Sequence, residues 1–320
     1  AQVDLDMAIL LDPSRSDYYA NHGWNLKQLG GYYDSIDSFL KAIELNPENT
    51  YALNSLGLTY KDLGMYDQAL EIADQYIEVD PNAPDAYNLK GLVYSQQSDF
   101  RKAIAEYEKA IEVDPTFSDG YVNLGADYRT LGNLEMALSA LNTAIELDPT
   151  NADGYYDRGL VHHDLDNDDA AFEDYSNTIR YNPKYHEAYL NRGNIYRRRG
   201  DYDNAIADYD RAIAVFPQFW FAYWNRGIAY SEMGDYEQAI EDYNVALSMY
   251  PYYKQIYNSL GIDYNNLGEY ELALEAYQHA IELDPDYGRA YYGLGHTYEL
   301  MDDIEKAREN YQKAEALGYP

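Results

Sequence analysis

The residues of this chain that could carry out catalytic or metal chemistry do not occur in the spacings that such chemistry requires. The six histidines show no zinc-enzyme spacing, and the chain has no cysteine. An acidic turn, Asp164 to Asp169, resembles a calcium loop but lacks the glycine and the later glutamate that such loops use. The sequence also contains no phosphate-binding glycine loop and no serine or cysteine nucleophile motif. We therefore predict no enzyme activity, no metal site and no cofactor.

Four cations form a second pattern, because each is followed by an acid after the same interval. The pairs are Lys90 with Glu106, Arg158 with Asp174, Arg192 with Asp208 and Arg226 with Asp242. At the corresponding places elsewhere in the chain neither charge occurs. Since a partly buried charge needs a partner, this co-occurrence predicts ion pairs between two neighbouring helices. A ladder of cations that binds an anionic ligand is the alternative.

The elements that position these side chains are repeated units 34 residues long. Evenly spaced prolines reveal the repeat: Pro13, Pro47, Pro81, Pro115, Pro149, Pro183, Pro217, Pro251 and Pro285. Glycine at the eighth position of every unit lies within an apolar pattern of helical period, which predicts that two helices cross closely there. Further glycines, such as Gly64, suit a left-handed helix end, and an acid or amide follows as the N-cap of a second helix. These predicted N-caps are Asp99, Asn133, Asp201, Asp235 and Asp303.

Residues at set positions of each unit resemble the tetratricopeptide repeat family. In the unit that begins at His186, the matching residues are Tyr189, Gly193, Tyr196, Ala205, Tyr209, Ala212 and Pro217. The resemblance covers the whole chain: a half repeat at 1–15, with the second helix only, and nine units at 16–320 that start at residues 16, 50, 84, 118, 152, 186, 220, 254 and 288. It implies an all-α, right-handed superhelical solenoid of antiparallel helix pairs, forming one continuous domain. The first helices would line a concave groove that commonly holds peptides.

The resemblance also implies which side chains line the groove. Asparagine recurs at the sixth position, where peptide-binding members can present it to the ligand backbone, although bonding between neighbouring first helices explains it equally well. Cations recur at the twelfth position and would suit a ligand that carries carboxylates, unless they are merely solvated. Large apolar side chains complete the surface, with Trp24 and Trp224 as the expected anchors. The predicted groove residues are Asn21, Trp24, Lys27, Lys61, Asn123, Arg129, Tyr156, His163, Leu190, Asn191, Asn194, Arg197, Arg198, Phe221, Trp224, Asn225 and Tyr292.

The overall charge limits the possible partners. A formal net charge of −33 repels nucleic acid and anionic membranes, and it favours basic partners. No apolar run reaches the roughly 20 residues of a membrane span. We therefore expect a protein or peptide partner, no nucleic acid and no membrane span. We expect a cytoplasmic location, with a periplasmic or extracellular one left open.

Three functions are compatible with these sequence features. The favoured one is a non-enzymatic scaffold that binds a peptide in the groove. The second is a self-assembling or multiprotein scaffold, since the half repeat at 1–15 leaves an apolar face uncovered. The third is the targeting module of a larger enzyme such as a glycosyltransferase. Within the solenoid, the unit that begins at residue 152 departs most from the pattern, which predicts a flexible joint over residues 162 to 180.

Overall fold

The computed structural model describes residues 2 to 319, and within this range it contains nineteen α-helices. They are α1 (Gln2–Leu11), α2 (Ser16–Gln28), α3 (Tyr32–Leu45), α4 (Thr50–Asp62), α5 (Tyr66–Val79), α6 (Pro84–Gln96), α7 (Phe100–Val113), α8 (Ser118–Thr130), α9 (Leu134–Leu147), α10 (Ala152–Asp164), α11 (Asp168–Tyr181), α12 (His186–Arg198), α13 (Tyr202–Val215), α14 (Trp220–Met233), α15 (Tyr236–Met249), α16 (Lys254–Leu267), α17 (Tyr270–Leu283), α18 (Gly288–Leu300) and α19 (Ile304–Ala316). The predicted all-α class is confirmed. Even-numbered helices from α2 to α18 are the first helices of the nine repeats, and α1 is the second helix of a half repeat.

Contacts divide the chain into two compact units, which we describe separately. The N-terminal unit ends at Asn167 and the C-terminal unit begins at Asp168, so the boundary lies at the turn between α10 and α11. Within each unit, successive helices pack as antiparallel neighbours, and each first helix also contacts the first helix of the next repeat. A single continuous domain stays a prediction.

The turn inside each repeat is left-handed, as the glycines predict. Six of these turns have glycine with φ between 72° and 90°. At the same position the other three repeats have Ser98, Asp166 and Asp302, whose φ values are 62°, 56° and 63°. The hairpin geometry therefore imposes a positive φ even on residues with a side chain, at a conformational cost of about 1 kcal/mol each.

The predicted N-caps differ in what their side chains do. Asp99, Asp201 and Asp303 each accept a hydrogen bond from a backbone N–H in the first turn of the second helix. Asn133 and Asp235 occupy the N-cap position without such a bond. Some first helices are capped in the same way: the side chains of Asn49 and Asn151 each accept a hydrogen bond from the backbone N–H three residues later.

The glycine at the eighth position is explained by a large side chain that packs directly on it, an aromatic ring in six described repeats and a leucine at Gly57 and Gly125. A Cβ atom at Gly91 would lie 2.3 Å from Tyr107, and one at Gly227 would lie 2.5 Å from Tyr243. Tyr107 and Tyr243 are each 1% exposed, so neither ring can move aside without opening the core. This packing offsets the weaker helix propensity of glycine.

Candidate functional site

The first helices of each unit form the face on which the predicted groove residues lie. Neighbouring first helices contact one another, whereas the second helices of neighbouring repeats make no comparable contact within either described unit. Within each unit the repeats therefore curve toward the first helices, which places the exposed side chains of those helices on the concave face of that unit. Each unit has its own stretch of this face.

In the N-terminal unit this face contains a groove of about 480 Å³, which we call the acidic groove. It extends over the first helices α4, α6, α8 and α10. None of its described lining residues is lysine or arginine. They are Asn54, Leu58, Asp85, Asn88, Leu89, Leu92, Asp119, Val122, Asn123, Asp153 and Asp157.

Three of these acids form a regular row, which we call the aspartate ladder: Asp85, Asp119 and Asp153. Each is the second residue of its first helix, so the same side chain recurs at the same height of α6, α8 and α10. Burial raises the pKa of Asp85, and the neighbouring charge of Asp119 raises it further. Burial likewise raises the pKa of Asp119. A hydrogen bond from Asn151 lowers this pKa, and the charge of Asp153 raises it further. The ladder is therefore an uncompensated row of negative charge.

Asp157, on α10, is the most strongly perturbed acid of the groove. Burial and the charge of Asp153 raise its pKa to about 7, although Arg129 acts in the opposite direction. The described structure gives Asp157 no hydrogen bond and no ion pair. It occupies the sixth position of its repeat, where Asn123 stands in the preceding one.

The cations at the twelfth position are paired with acids of the same protein. Lys27 Nζ lies 2.7 Å from Asp62, and Arg129 Nε donates to Asp164 at 2.6 Å. Arg197 makes the corresponding bond to Glu232 at 2.5 Å, and Lys61 lies 3.1 Å from Asp62. Although burial acts in the other direction, the hydrogen bonds from the two lysines lower the pKa of Asp62. Lys27, Arg129 and Arg197 thus link neighbouring first helices, and Lys61 contacts an acid of its own helix. This pairing weakens the expectation that these cations attract a carboxylate ligand.

The sixth-position asparagines differ from repeat to repeat. Asn123 donates from Nδ2 to Oδ1 of Asn88 on the preceding first helix at 2.8 Å. Asn225 is 5% exposed and donates to the backbone oxygen of Phe221 in its own helix. Asn21 is exposed on α2, and Asn191 is half-buried on α12. Bonding between or within first helices thus accounts for the amides of Asn123 and Asn225.

The C-terminal unit carries a cluster of aromatic rings, which we call the aromatic cluster: Trp220, Phe221, Trp224, Tyr250 and Tyr253. Trp220 stacks on Tyr250 with ring centroids 4.9 Å apart and an interplanar angle of 16°. Tyr253 lies between the two tryptophans, 5.0 Å from each ring centroid. Trp220, Phe221, Trp224 and Tyr253 are half-buried, and Tyr250 is 42% exposed. The rings hold one another in place while presenting an open surface.

The remaining predicted groove residues fall into three environments. Leu190 is 5% exposed and packs in the core of the C-terminal unit, and Asn194 accepts a hydrogen bond from the hydroxyl of Tyr209 at 2.8 Å. Arg198 makes two hydrogen bonds to Asp168. Those on the open surface are Trp24 and Tyr292, 40% and 41% exposed, with exposed His163 and half-buried Tyr156.

The seventh-position arginines of the C-terminal unit make the contacts that the sequence pattern anticipates. Arg192 and Arg226 each donate two hydrogen bonds, from Nε and Nη2, to Asp208 and Asp242 respectively, at 2.6 to 2.8 Å. Arg226 also binds Asp210 of the preceding second helix. The cation thus joins its own second helix to the one before it.

One member of the pattern, Lys90, behaves differently from the expectation. Lys90 binds Asp74 of the preceding second helix at 2.7 Å, while Glu106, the partner that the sequence suggested, binds Lys109. The lysine ammonium is a compact charge that lies against Asp74, whereas the wider fork of the Arg226 guanidinium spans two acids. Arg158 donates to Asn142 at 2.7 Å. Its pairing with Asp174 stays a prediction.

Sequence reasoning missed the aspartate ladder and most of the aromatic cluster. The ladder had a signal, because aspartate recurs at the second position in three successive repeats. Acidic residues in the first turn of a helix are common, however, since they stabilise the helix dipole. Only the structure shows that these three share a groove with Asp157.

Residues 2 to 319 offer neither a membrane span nor a clustered metal site. No described helix has the length and apolarity to cross a membrane. Nor do the described residues bring three or more histidine or acidic side chains together in a way that could hold a metal ion.

Comparison with models of protein families identifies repeats along most of the chain. The description "Tetratricopeptide repeat" matches residues 16–49, 38–71, 84–117, 185–251 and 288–317. The description "TPR repeat" matches residues 125–166 and 263–302. No curated protein sequence gives a significant match.

Three solved structures are similar in fold. A chain of the Cut9–Hcn1 hetero-tetramer of the APC/C is 18% identical with a TM-score of 0.66, and the match covers 86% of this chain and 52% of that one. The protein therefore spans about half the length of that chain. A tetratricopeptide repeat protein from Parabacteroides merdae is 22% identical with a TM-score of 0.57, covering 74% of this chain and 93% of that one. PilF of Pseudomonas aeruginosa is 20% identical with a TM-score of 0.54, covering 62% and 96%.

These matches agree with the hairpins, the left-handed turns and the glycine–tyrosine packing described above. The repeats extend over nearly the whole chain, and no catalytic domain is found among them. The chain belongs to the tetratricopeptide repeat family.

Proposed function

We propose that this protein is an interaction scaffold that binds an extended segment of a partner protein against its first helices. Repeats of this family typically act as protein-interaction scaffolds. The observation that carries the proposal is the aromatic cluster, whose rings are half-open to solvent on first helix α14 and the loop before α16. Tryptophan and tyrosine contribute a large share of the energy of protein interfaces, so an ordered group of such rings is a suitable anchor.

Polar groups next to the cluster suit a peptide backbone. Nε1 of Trp224 lies 3.5 Å from the hydroxyl of Ser259, at the long limit of a hydrogen bond. That indole N–H can therefore turn to a carbonyl of the ligand at little loss. The exposed rings would bury the apolar side chains of the bound segment while the indole fixes its backbone.

A peptide selection tests this proposal. Random peptides are selected on the intact protein, and the affinities of the selected peptides are then measured by fluorescence anisotropy. Trp224→Ala should weaken binding by about 30-fold, corresponding to an anchor worth about 2 kcal/mol. Asn191→Ala and Arg197→Ala should weaken it less. Val245→Ala, at an exposed site on second helix α15, is the control and should leave affinity unchanged. Equal binding to the Trp224 and Val245 variants would refute the aromatic cluster as the binding site.

Self-assembly is a second candidate, and it has its own observation. Helix α1 exposes Met7, Leu10 and Leu11, at 52%, 76% and 78%. An apolar face of this kind can pack against a second copy. Light scattering at rising concentration should show a mass above 36.8 kDa, and Leu10→Glu with Leu11→Glu should reduce the mass to that value. Leu29→Glu, at a turn residue that is 76% exposed, is the control. A wild-type mass of one chain at every concentration would exclude this candidate. A targeting module of a larger enzyme stays a third hypothesis.

A further inference from the structure

We infer that the acidic groove of the N-terminal unit binds a basic, extended segment of a partner protein, with successive lysine or arginine side chains facing Asp85, Asp119 and Asp153. This inference rests on the proposed function and specifies the chemistry of one bound segment. It concerns a different surface from the aromatic cluster, so the two can be tested independently.

The spacing of the aspartate ladder sets the spacing of the ligand. Its members stand at the same position of α6, α8 and α10, and these first helices contact one another in order. Packed helices lie about 8 to 10 Å apart, and a segment in the polyproline II conformation advances about 3.1 Å per residue with every third side chain on the same side. A basic side chain at every third residue therefore keeps pace with the ladder.

The carboxylate of Asp157 indicates that a ligand binds in the groove, because no group of the described protein pairs with it. Three other acids on the first helices of this unit have partners: buried Asp127 accepts from Ser95, and the more exposed Asp62 and Asp164 bind Lys27 and Arg129. Asp157 is half-buried and lines the groove, yet the described residues give it no donor. A desolvated carboxylate without a partner is unfavourable, and a cationic side chain entering the groove would relieve that cost.

A single metal ion does not account for this arrangement. Across the described residues, no three acidic or histidine side chains converge as metal ligands, although four aspartates line this one groove. Their charges are spread along the groove rather than gathered at a point. Several cations that are linked at intervals, as in a basic peptide, match such a distribution better than one ion.

The groove also contains an asparagine amide that can bond a peptide backbone, and two leucines that form a small apolar surface. Asn54 has no hydrogen bond within the described structure, and Leu58 and Leu92 lie beside it in the same groove. The asparagine amide can bond the backbone of the ligand, and the leucines can cover the aliphatic stems of lysine or arginine. The groove thus suits the whole of a basic side chain, not its charge alone.

Two synthetic peptides of one composition test the inference. The first is a ten-residue peptide with lysine at every third position among glycine and serine, and the second has the same lysines in one run. Binding to the full chain is measured by fluorescence anisotropy at 50 mM and 300 mM NaCl. We expect the spaced peptide to bind at least about fivefold more tightly, and its affinity to fall at higher salt because the ion pairs are partly screened.

Matched variants locate the binding. Asp119→Asn with Asp157→Asn should weaken the spaced peptide by about tenfold or more, since two charge contacts are lost. Asp67→Asn with Glu71→Gln removes the same charge from an acidic patch on second helix α5 and should change affinity less than twofold. Circular dichroism checks that both variants keep their helices. Binding of the spaced peptide should also strengthen from pH 6 to pH 8 as Asp157 ionises.

Three results would overturn the inference: equal affinity for the two peptides, equal loss in both variant pairs, or spermine binding as tightly as the spaced peptide. The last result would assign the groove to small cations. None of them refutes the proposed function, because peptides selected on the aromatic cluster would still bind and would still depend on Trp224. Loss of that dependence, with the acidic groove still active, would refute the proposed function alone.

Discussion

Replacing Asp127 by valine is expected to stabilise the protein at neutral and alkaline pH. Asp127 lies on α8 at the tenth position of its repeat, where two other repeats have Val93 and Val161. It is 5% exposed and accepts a hydrogen bond from Ser95 at 2.8 Å through Oδ1. Its other carboxylate oxygen is buried without a partner among the described residues. Valine fills the same register with no polar atom, so the fold can accept it.

The magnitude follows from the pKa of this group. Burial raises the pKa of Asp127 to about 6, although the bond from Ser95 acts in the opposite direction. An unfolded aspartate titrates near pH 3.9, so the ionised form is disfavoured in the folded state by about 3 kcal/mol. The folded-state pKa is the higher one. The stability linked to protonation is therefore fully present below about pH 4 and is lost as the pH rises through about 6.

The assay is urea unfolding of wild type and Asp127→Val at pH 8 and pH 4.5, followed by circular dichroism and fitted with a nearest-neighbour model for repeats. The free energy of unfolding of the variant should exceed that of wild type at pH 8. This advantage should shrink by about 2 kcal/mol at pH 4.5, because wild-type Asp127 is then protonated. Asp67→Ala removes one exposed charge and serves as the control. An advantage of Asp127→Val that is the same at both pH values would refute the reasoning.

Three further perturbations test the packing. Gly227→Ala should lower the free energy of unfolding by about 1 to 3 kcal/mol, because the added Cβ meets the buried ring of Tyr243 and this outweighs alanine's better helix propensity. A stability equal to wild type would mean that the ring can move aside. Asp166→Gly should raise stability by up to about 1 kcal/mol, since its φ is 56°, and should slow amide exchange in α10 and α11; unchanged exchange would show that the turn is not the weak point. Arg226→Leu should lower the free energy of unfolding by about 3 to 5 kcal/mol, because it leaves buried Asp242 unpaired. Adding Asp242→Ala should recover most of this loss. A double variant as unstable as the single one would contradict the pairing.

The sequence determined the repeat and what each repeat must do locally. The interval between prolines set the boundaries of the hairpins. Glycine at the eighth position predicted that two helices cross closely, and the ring of Tyr243 packs on Gly227 at one such crossing. The glycine turns likewise indicated a positive φ. These features depend on contacts within one repeat or between neighbouring repeats, so a pattern repeated along the chain records them directly.

The tertiary structure decided what the repeated positions do on the surface. The sequence could not tell whether Arg197 was open to a ligand, and the structure pairs it with Glu232 from the next first helix. Lys90 binds Asp74 of the preceding second helix, and Glu106 binds Lys109 in its own helix. Such choices depend on the distances between individual side chains of neighbouring helices, which a recurring residue type does not specify.

The same reason explains why the two candidate surfaces emerged only from the structure. In the sequence, each member of the aspartate ladder is indistinguishable from an ordinary first-turn acid that stabilises a helix N-terminus. Curvature of the N-terminal unit brings their helices side by side and places them in one groove with Asp157. The sequence determined which side chains recur. Packing of consecutive first helices decided that three recurring aspartates became one row of negative charge.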